Sequence, residues 1–456
     1  MSRSFGVKRI VVIGLMCAGL VAMADAPAVA PVFSDGAVLQ RGRPVPVWGT
    51  AAPGTRVTVE FAGRSAEATA GGDGAWKAVL PALEASSEGR QLKVNGAVVA
   101  NDVLVGEVWF VSGQSNAVCP IWCETRPNFR DLKGGTVIQY VNRDDVRFTD
   151  TPGVWKKMNR KTLTCKCGVM DGGFSALGVY FALKLNWVLG VPVGMIGNYI
   201  NGSPIRQWTP TGGFFRAYVK RWMPYAITGV LWNQGDADGT IPDYCQKLHE
   251  LYDGWSAGFE NPRMSFYLQE QSHGSDDMFR LSLAQERFVK EQPNAAISGG
   301  NDLKLSHVDA HGNDKEWMAR RMLLHALRRD YGFSDIDDES PSLASARVDG
   351  DAVECTFDGA RTLYIYNANS KCPDAPFEVA GADGVWRKAR PVFEPYKTWA
   401  GSNYIPTNVL RIASEEVKDP VSVRYLGARR SFGNVYNQAA LPMLPFEWRR
   451  EGESKK

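Results

Sequence analysis

The sequence predicts an α/β fold: a largely parallel sheet with helices on both faces, flanked by N-terminal and C-terminal β-rich modules. Three observations carry this. From Val103 to Gly332, long apolar runs alternate with amphipathic segments, as strands and helices do in a parallel sheet. On either side, shorter apolar runs are separated by Gly, Pro and Asp turns, the texture of small β structures. Several of the long runs stop abruptly at small and amide residues, and in such a sheet the carboxyl ends of the strands are where ligands bind.

The first element is not part of the fold. Arg3, Lys8 and Arg9 precede the apolar stretch Ile10–Met23, and Ala24-Asp25-Ala26 supplies small residues for cleavage, so residues 1–26 read as a secretory signal peptide. The run is short for a bilayer span. A lipid-anchor reading through Cys17 is weakened by the bulky Met16. Removing the leader takes away three bases and one acid, so the formal charge of +3 falls to +1. That balance favours neither nucleic acid nor a membrane surface as partner. The mature chain is expected in the periplasm or outside the cell.

Residues 27–105 hold the runs Val45–Trp48, Arg56–Phe61, Trp76–Leu80 and Gln91–Val94 and read as a β-sandwich-like module. Residues 106–335 carry the strand–helix alternation, with helices expected at Ala176–Leu189, Asp243–Ser256, Arg280–Lys290 and Lys315–Tyr331. The acidic, Ser- and Pro-containing stretch after Gly332 marks a boundary, and residues 336–456 form a second β-rich module ending in a solvated tail. An apolar content of 44% with 22% charged residues is ordinary for globular protein, so cores of this size are available.

Seven of the eight cysteines remain once Cys17 is removed, and an oxidising compartment makes disulfides the first expectation. Cys119, Cys123, Cys165 and Cys167 form one loop cluster, Cys355 and Cys372 are a possible hairpin pair, and Cys245 is the thiol expected to stay free. The C-x3-C and C-x-C spacings do not match the paired C-x2-C pattern of zinc sites.

The chemistry is read from strand ends. The run through Gly106-Glu107-Val108-Trp109 stops at Ser112-Gly113-Gln114-Ser115-Asn116, offering Ser115 as a nucleophile. A serine needs a base and a group to orient that base. Among five histidines, His311 follows Asp309 in Val308-Asp309-Ala310-His311 just ahead of a helix, whereas His307 lacks a carboxylate at matching spacing. Two further strand ends, Asn201-Gly202-Ser203-Pro204-Ile205-Arg206-Gln207-Trp208 and Trp232-Asn233-Gln234-Gly235-Asp236, supply amide donors of the kind acyl transfer requires. Glu107 and Trp109 read as structural support beneath the serine.

These four blocks, in this order, resemble the sialate O-acetylesterase family of the SGNH hydrolases, and the likeness extends over nearly all the chain after the leader. The departures are Ala117 for Met, Asp236 for Glu and Gly312 for Pro. The resemblance implies a carbohydrate O-acetylesterase working through a Ser115–His311–Asp309 acyl-enzyme mechanism, without cofactor or metal. It implies an oxyanion hole from the backbone N–H groups of Ser115 and Gly202 with the Gln234 amide, Asn116, Asn201 and Asn233 being fallback donors. The substrate is expected to be an O-acetylated sugar, sialic acid on glycans. Arg206, where the family pattern has Glu, is expected at the rim to grip the sugar carboxylate, with Trp208 to stack on the ring. An acetylxylan-type esterase shares the chemistry and differs at the rim; a non-catalytic carbohydrate-binding protein would keep the modules and lose the triad.

Overall fold

The computed structural model describes residues 26–121, 142–164, 174–271, 275–303, 314–366, 376–392, 396–397, 402–427 and 432–451. The expected leader, the loop cysteines Cys123, Cys165 and Cys167, and the segment with His307, Asp309 and His311 lie outside the described residues.

The central sheet is built from β1 (Ala97–Gly113), β2 (Arg143–Thr151), β3 (Val154–Met158), β4 (Val193–Tyr199), β5 (Gly229–Asn233), β6 (Ser265–Gln269) and β7 (Ala295–Ser298). Their order is β3-β2-β4-β1-β5-β6-β7. Every pair is parallel except the edge hairpin of β3 on β2. β1 is buried continuously from Val103 to Gly113, which is why it reads as an unbroken apolar run rather than an alternating one.

The two faces of β1 enter different cores. Val108 and Phe110 pack with Leu248 and Trp255 of α3 (Tyr244–Gly258) and with Leu281 and Phe288 of α4 (Asp276–Glu291). On the other face, Trp109 and Val111 pack with Phe181 and Leu185 of α2 (Ala176–Leu189) and with Met318 and Met322 of α5 (Lys315–Arg329). The first α-helix, α1 (Ser115–Val118), is a single turn set directly on the end of β1. Caps fix where helices begin: Ser175 accepts the Gly178 N–H at the start of α2, and Ser275 accepts that of Met278 in α4.

The chain leaves β1 for β2 and β4 on one side and then crosses to β5, β6 and β7 on the other. Strand order therefore reverses at β1. The crevice at such a switch point, outside the carboxyl ends of the strands, is where α/β sheets bind ligands.

The texture change expected at 105/106 falls inside β1. Its first half pairs antiparallel with Ser86–Val94, and Leu104–Gly106 pairs parallel with Val38–Gln40. Its second half is the middle of the parallel sheet. Val57, Val59, Phe61 and Trp76 of the N-terminal strands share one core with Phe110.

The C-terminal module has its own core between a seven-stranded and a four-stranded sheet. Cys355 faces that core as a free thiol, pushed up to about 12 by burial, and Cys372, the partner considered for it, lies outside the described residues. The module is seated on the loop after β7: Asn301 Nδ2 donates to the Met443 carbonyl at 3.0 Å, and the Tyr436 hydroxyl donates to Asp302 at 3.2 Å. Arg321 of α5 grips both oxygens of Asp302 at 2.8 and 2.7 Å, a buried pair that fixes the loop from the other side.

Candidate active site

Three of the four blocks converge at the carboxyl ends of β1, β4 and β5. Gly113 closes β1 opposite Tyr199 of β4 and Asn233 of β5. Its φ is 136°, and a Cβ there would lie 2.0 Å from the Asn233 carbonyl oxygen. Only glycine permits that approach. The chain then turns, the Gln114 N–H bonding to the Asn233 carbonyl at 3.0 Å, and delivers Ser115 as the first residue of α1. Ser115 is half-buried, while Gln114 and Asn116 on either side are buried. The N–H groups of a first helical turn have no acceptor inside the helix, so that of Ser115 is available to an incoming oxyanion.

Gly202 follows β4 with φ at 60°, exposed, with open space where a side chain would stand. Ser203 behind it is buried, its hydroxyl 3.4 Å from the Gly113 carbonyl and accepting from Trp208 Nε1 at 2.9 Å. The Gly202 turn is thereby anchored to the end of β1.

The amide of Gln234 does not serve as the third donor. Its Nε2 is held by the Ser203 carbonyl at 3.0 Å and by Asp238, and its Oε1 accepts from the Tyr244 hydroxyl at 2.9 Å. Fully buried and engaged at both ends, Gln234 is a tie between the β4 and β5 loops. Asp238 also accepts the Ile205 N–H at 2.6 Å. Burial raises its carboxyl above the usual range, and those two hydrogen bonds pull it back. Of the fallback amides, Asn116 and Asn233 are buried, and Asn201 is exposed beside Gly202.

Trp208 is also corrected. It is completely buried, edge-on to Trp232 and Phe214, with its carbonyl accepting from Trp255, so no ring face is open to a sugar. The apolar ring pays more inside this aromatic core than at a wet rim. Arg206, two residues earlier, is exposed and makes no ion pair with the described residues. Glu107 and Trp109 are structural as expected: Glu107 is held by Arg41, Gln40 and Thr228, and Trp109 Nε1 donates to the Tyr331 hydroxyl at 2.9 Å.

A network the sequence reading missed lies beneath Ser115. Lys315, the first residue of α5, is completely buried, and its Nζ donates to Asn116 Oδ1 at 2.7 Å. Asn116 Nδ2 in turn donates to Asp236 at 3.2 Å, and Gln114 Nε2 reaches the same carboxylate oxygen at 3.1 Å. Gln114 Oε1 accepts the Gly235 and Ala237 N–H groups, both at 3.2 Å. The residues flanking Ser115 are thus locked to the β5 loop and to α5, and Asp236, shorter than the Glu of the family pattern, still receives both amides. A lysine at the fourth position after His311 was the available signal. Asp309 and His311, lying within 304–313, are outside the described residues, but that segment is bounded by the pinned Asp302 on one side and by Lys315 on the other.

Residues 105–322 match the family model for a carbohydrate esterase, the sialic acid-specific acetylesterase domain. The sialate O-acetylesterase of Homo sapiens is 27% identical over 369 residues, covering 65% of this chain and 69% of its own. That of Pongo abelii is 27% identical over 371 residues, with the same coverage. Among solved structures, a carbohydrate acetylesterase from Xanthomonas citri superposes with a TM-score of 0.77 at 24% identity, over 93% of this chain and 99% of that one, which shows the shared fold. With its serine turn and its open glycine on the same strand ends, the part of the chain from 105 to 322 matches the sialic acid-specific acetylesterase family of carbohydrate esterases, and the protein is a serine esterase.

Proposed function

We propose that the protein removes O-acetyl groups from sialic acids on glycans, after export to the periplasm or the medium. The observation that carries the reading is Ser115 itself: a half-buried hydroxyl on a rigid turn at the switch point of the sheet, beside the open Gly202 backbone. In this reading His311 takes the Ser115 proton as the hydroxyl attacks the acetyl carbonyl, and Asp309 orients His311 and stabilises its imidazolium. The N–H groups of Ser115 and Gly202 receive the oxyanion. His311 then returns the proton to the departing sugar hydroxyl, and water hydrolyses the acetyl-enzyme by the same steps in reverse order.

Substrate choice rests on Arg206. Exposed four residues beyond Gly202 and in no ion pair with a described carboxylate, its guanidinium suits a bidentate grip on the sugar carboxylate. Acetate release from O-acetylated sialic acid should exceed that from acetylated xylan. Arg206→Glu should raise the Michaelis constant for the sialic acid by about one to two decades while sparing a small neutral acetyl ester. Equal effects on both esters return Arg206 to a surface role; folded protein releasing acetate from neither polymer sinks the activity.

A further inference from the structure

On the outer surface formed by α3 and α4, three side chains unconnected with the ester chemistry come together. Cys245 and His249 stand four residues apart on α3 and so share one face. Glu291 ends α4 opposite them. His249 Nε2 lies 2.9 Å from Glu291 Oε2, and Cys245 Sγ lies 3.8 Å from the same oxygen. One ligand atom from each residue falls within a sphere of contacts no wider than 4.8 Å. Among the described residues, no other group of three His, Cys, Asp or Glu side chains meets this condition.

We propose that Cys245, His249 and Glu291 form a zinc site that clamps α3 to α4, with water completing the tetrahedron. A thiolate, an imidazole and a carboxylate are the donors zinc takes, and three protein ligands plus one open position is a common arrangement for it. Bonds of about 2.0–2.3 Å imply donor separations of roughly 3.3–3.5 Å. His249 and Glu291 therefore open by a few tenths of an ångström, Cys245 and Glu291 close slightly, and the thiol swings towards the ring. These are side-chain rotations on fixed helices.

The surroundings are suited to the task. Arg287 Nε holds the other Glu291 oxygen at 2.7 Å, turning Oε2 towards the cysteine and histidine as an outer partner of a ligand carboxylate does. The His249 ring is steadied edge-on against Phe288 with centroids 4.9 Å apart. Binding replaces the Cys245 S–H bond by a sulfur–zinc bond and releases that proton to solvent. Zinc takes the thiolate, so this proton must leave on binding and affinity rises with pH.

The test uses the full-length chain, reduced and stripped of metal, titrated with Zn²⁺ against a chromophoric chelator and with Co²⁺ as a spectroscopic probe. One Zn²⁺ per chain should bind, weakened at least tenfold in Cys245→Ser and in His249→Ala and less in Glu291→Gln. The Co²⁺ form should show a sulfur-to-metal charge-transfer band that Cys245→Ser abolishes. Acetate release should be unchanged in all three variants, since none contributes to the esterase site. His249→Gln, which keeps a hydrogen-bonding group for Glu291, replaces His249→Ala if the latter melts early. Failure of the chain to take up Zn²⁺, or uptake of equal affinity in the Cys245 and His249 variants, overturns the proposal.

Discussion

Ser115 is poised by its neighbours rather than by its own contacts. Gln114 and Asn116 are tied to Asp236, and Lys315 fixes Asn116 from below. If Ser115, His311 and Asp309 act as a unit, Ser115→Ala and His311→Ala should each lower turnover by about 10⁴ to 10⁶, with Asp309→Asn milder. A crippling His307→Ala with harmless His311→Ala would reassign the base. Lys315→Met leaves the Asn116 oxygen without its buried donor, and a shift of the serine turn by even about 1 Å costs on the order of 10²-fold in rate. Turnover should fall far more than the Michaelis constant rises, and Lys315→Arg should recover less than the retained charge suggests, because a planar guanidinium is bulkier than the buried ammonium it would replace against Asn116. Ser115 and Gly202 were legible in the sequence because each ends an apolar run at a small residue. Trp208 and Gln234 were not: their partners Ser203, Asp238, Tyr244 and Trp255 come from loops and helices whose approach no local pattern encodes.

At the scale of elements, the expected helices and the long strands recur with ends displaced by a few residues, since amphipathic period and strand length survive in the sequence. The boundary near residue 105 looked like a domain junction because turn density changes there. What the pattern hides is that one strand serves two sheets, pairing with Ser86–Val94 in its first half and with β4 and β5 in its second. In the C-terminal module Phe377–Ala380, Ser402–Ile405 and Val435–Asn437 are only three or four residues long, too short for an alternating pattern to delimit them. The junction of β1 and β5 is the most constrained point of the central sheet. Gly113→Ala should push the two strand ends apart, costing on the order of 3 kcal/mol in denaturant melts and lowering esterase activity in parallel. A variant of unchanged stability would show that the strands part without cost.

For the whole molecule, the end of the sheet opposite Ser115 sets a pH dependence of stability. Asp330, at the end of α5, accepts from Ser265 at 2.5 Å and Tyr267 at 2.6 Å, and burial pushes its carboxyl up to about 6. The unfolded chain titrates this group near 3.8. Below about 4 both states hold the proton and the shift has no effect; between about 4 and 6 the folded state holds it more tightly; above 6 both are ionised and the burial cost is felt in full. Asp330→Asn should therefore gain on the wild type as pH rises from 4 to 7, levelling off at about 1–3 kcal/mol in urea titrations. A gap that shrinks with rising pH would contradict this sign.

β1 also has a consequence for how a polymeric substrate is met. Seventeen residues form one continuous strand, kinked at Asp102 where φ is 53°, with the first module's strands along one end and Ser115 just past the other. A module on a flexible tether lets an enzyme sample many bonds around one anchoring point. Here the front module and Ser115 share a single beam, so any glycan resting on that module would meet the serine at one fixed spacing, and cleavage would select positions along the chain the way a jig selects where a board is drilled.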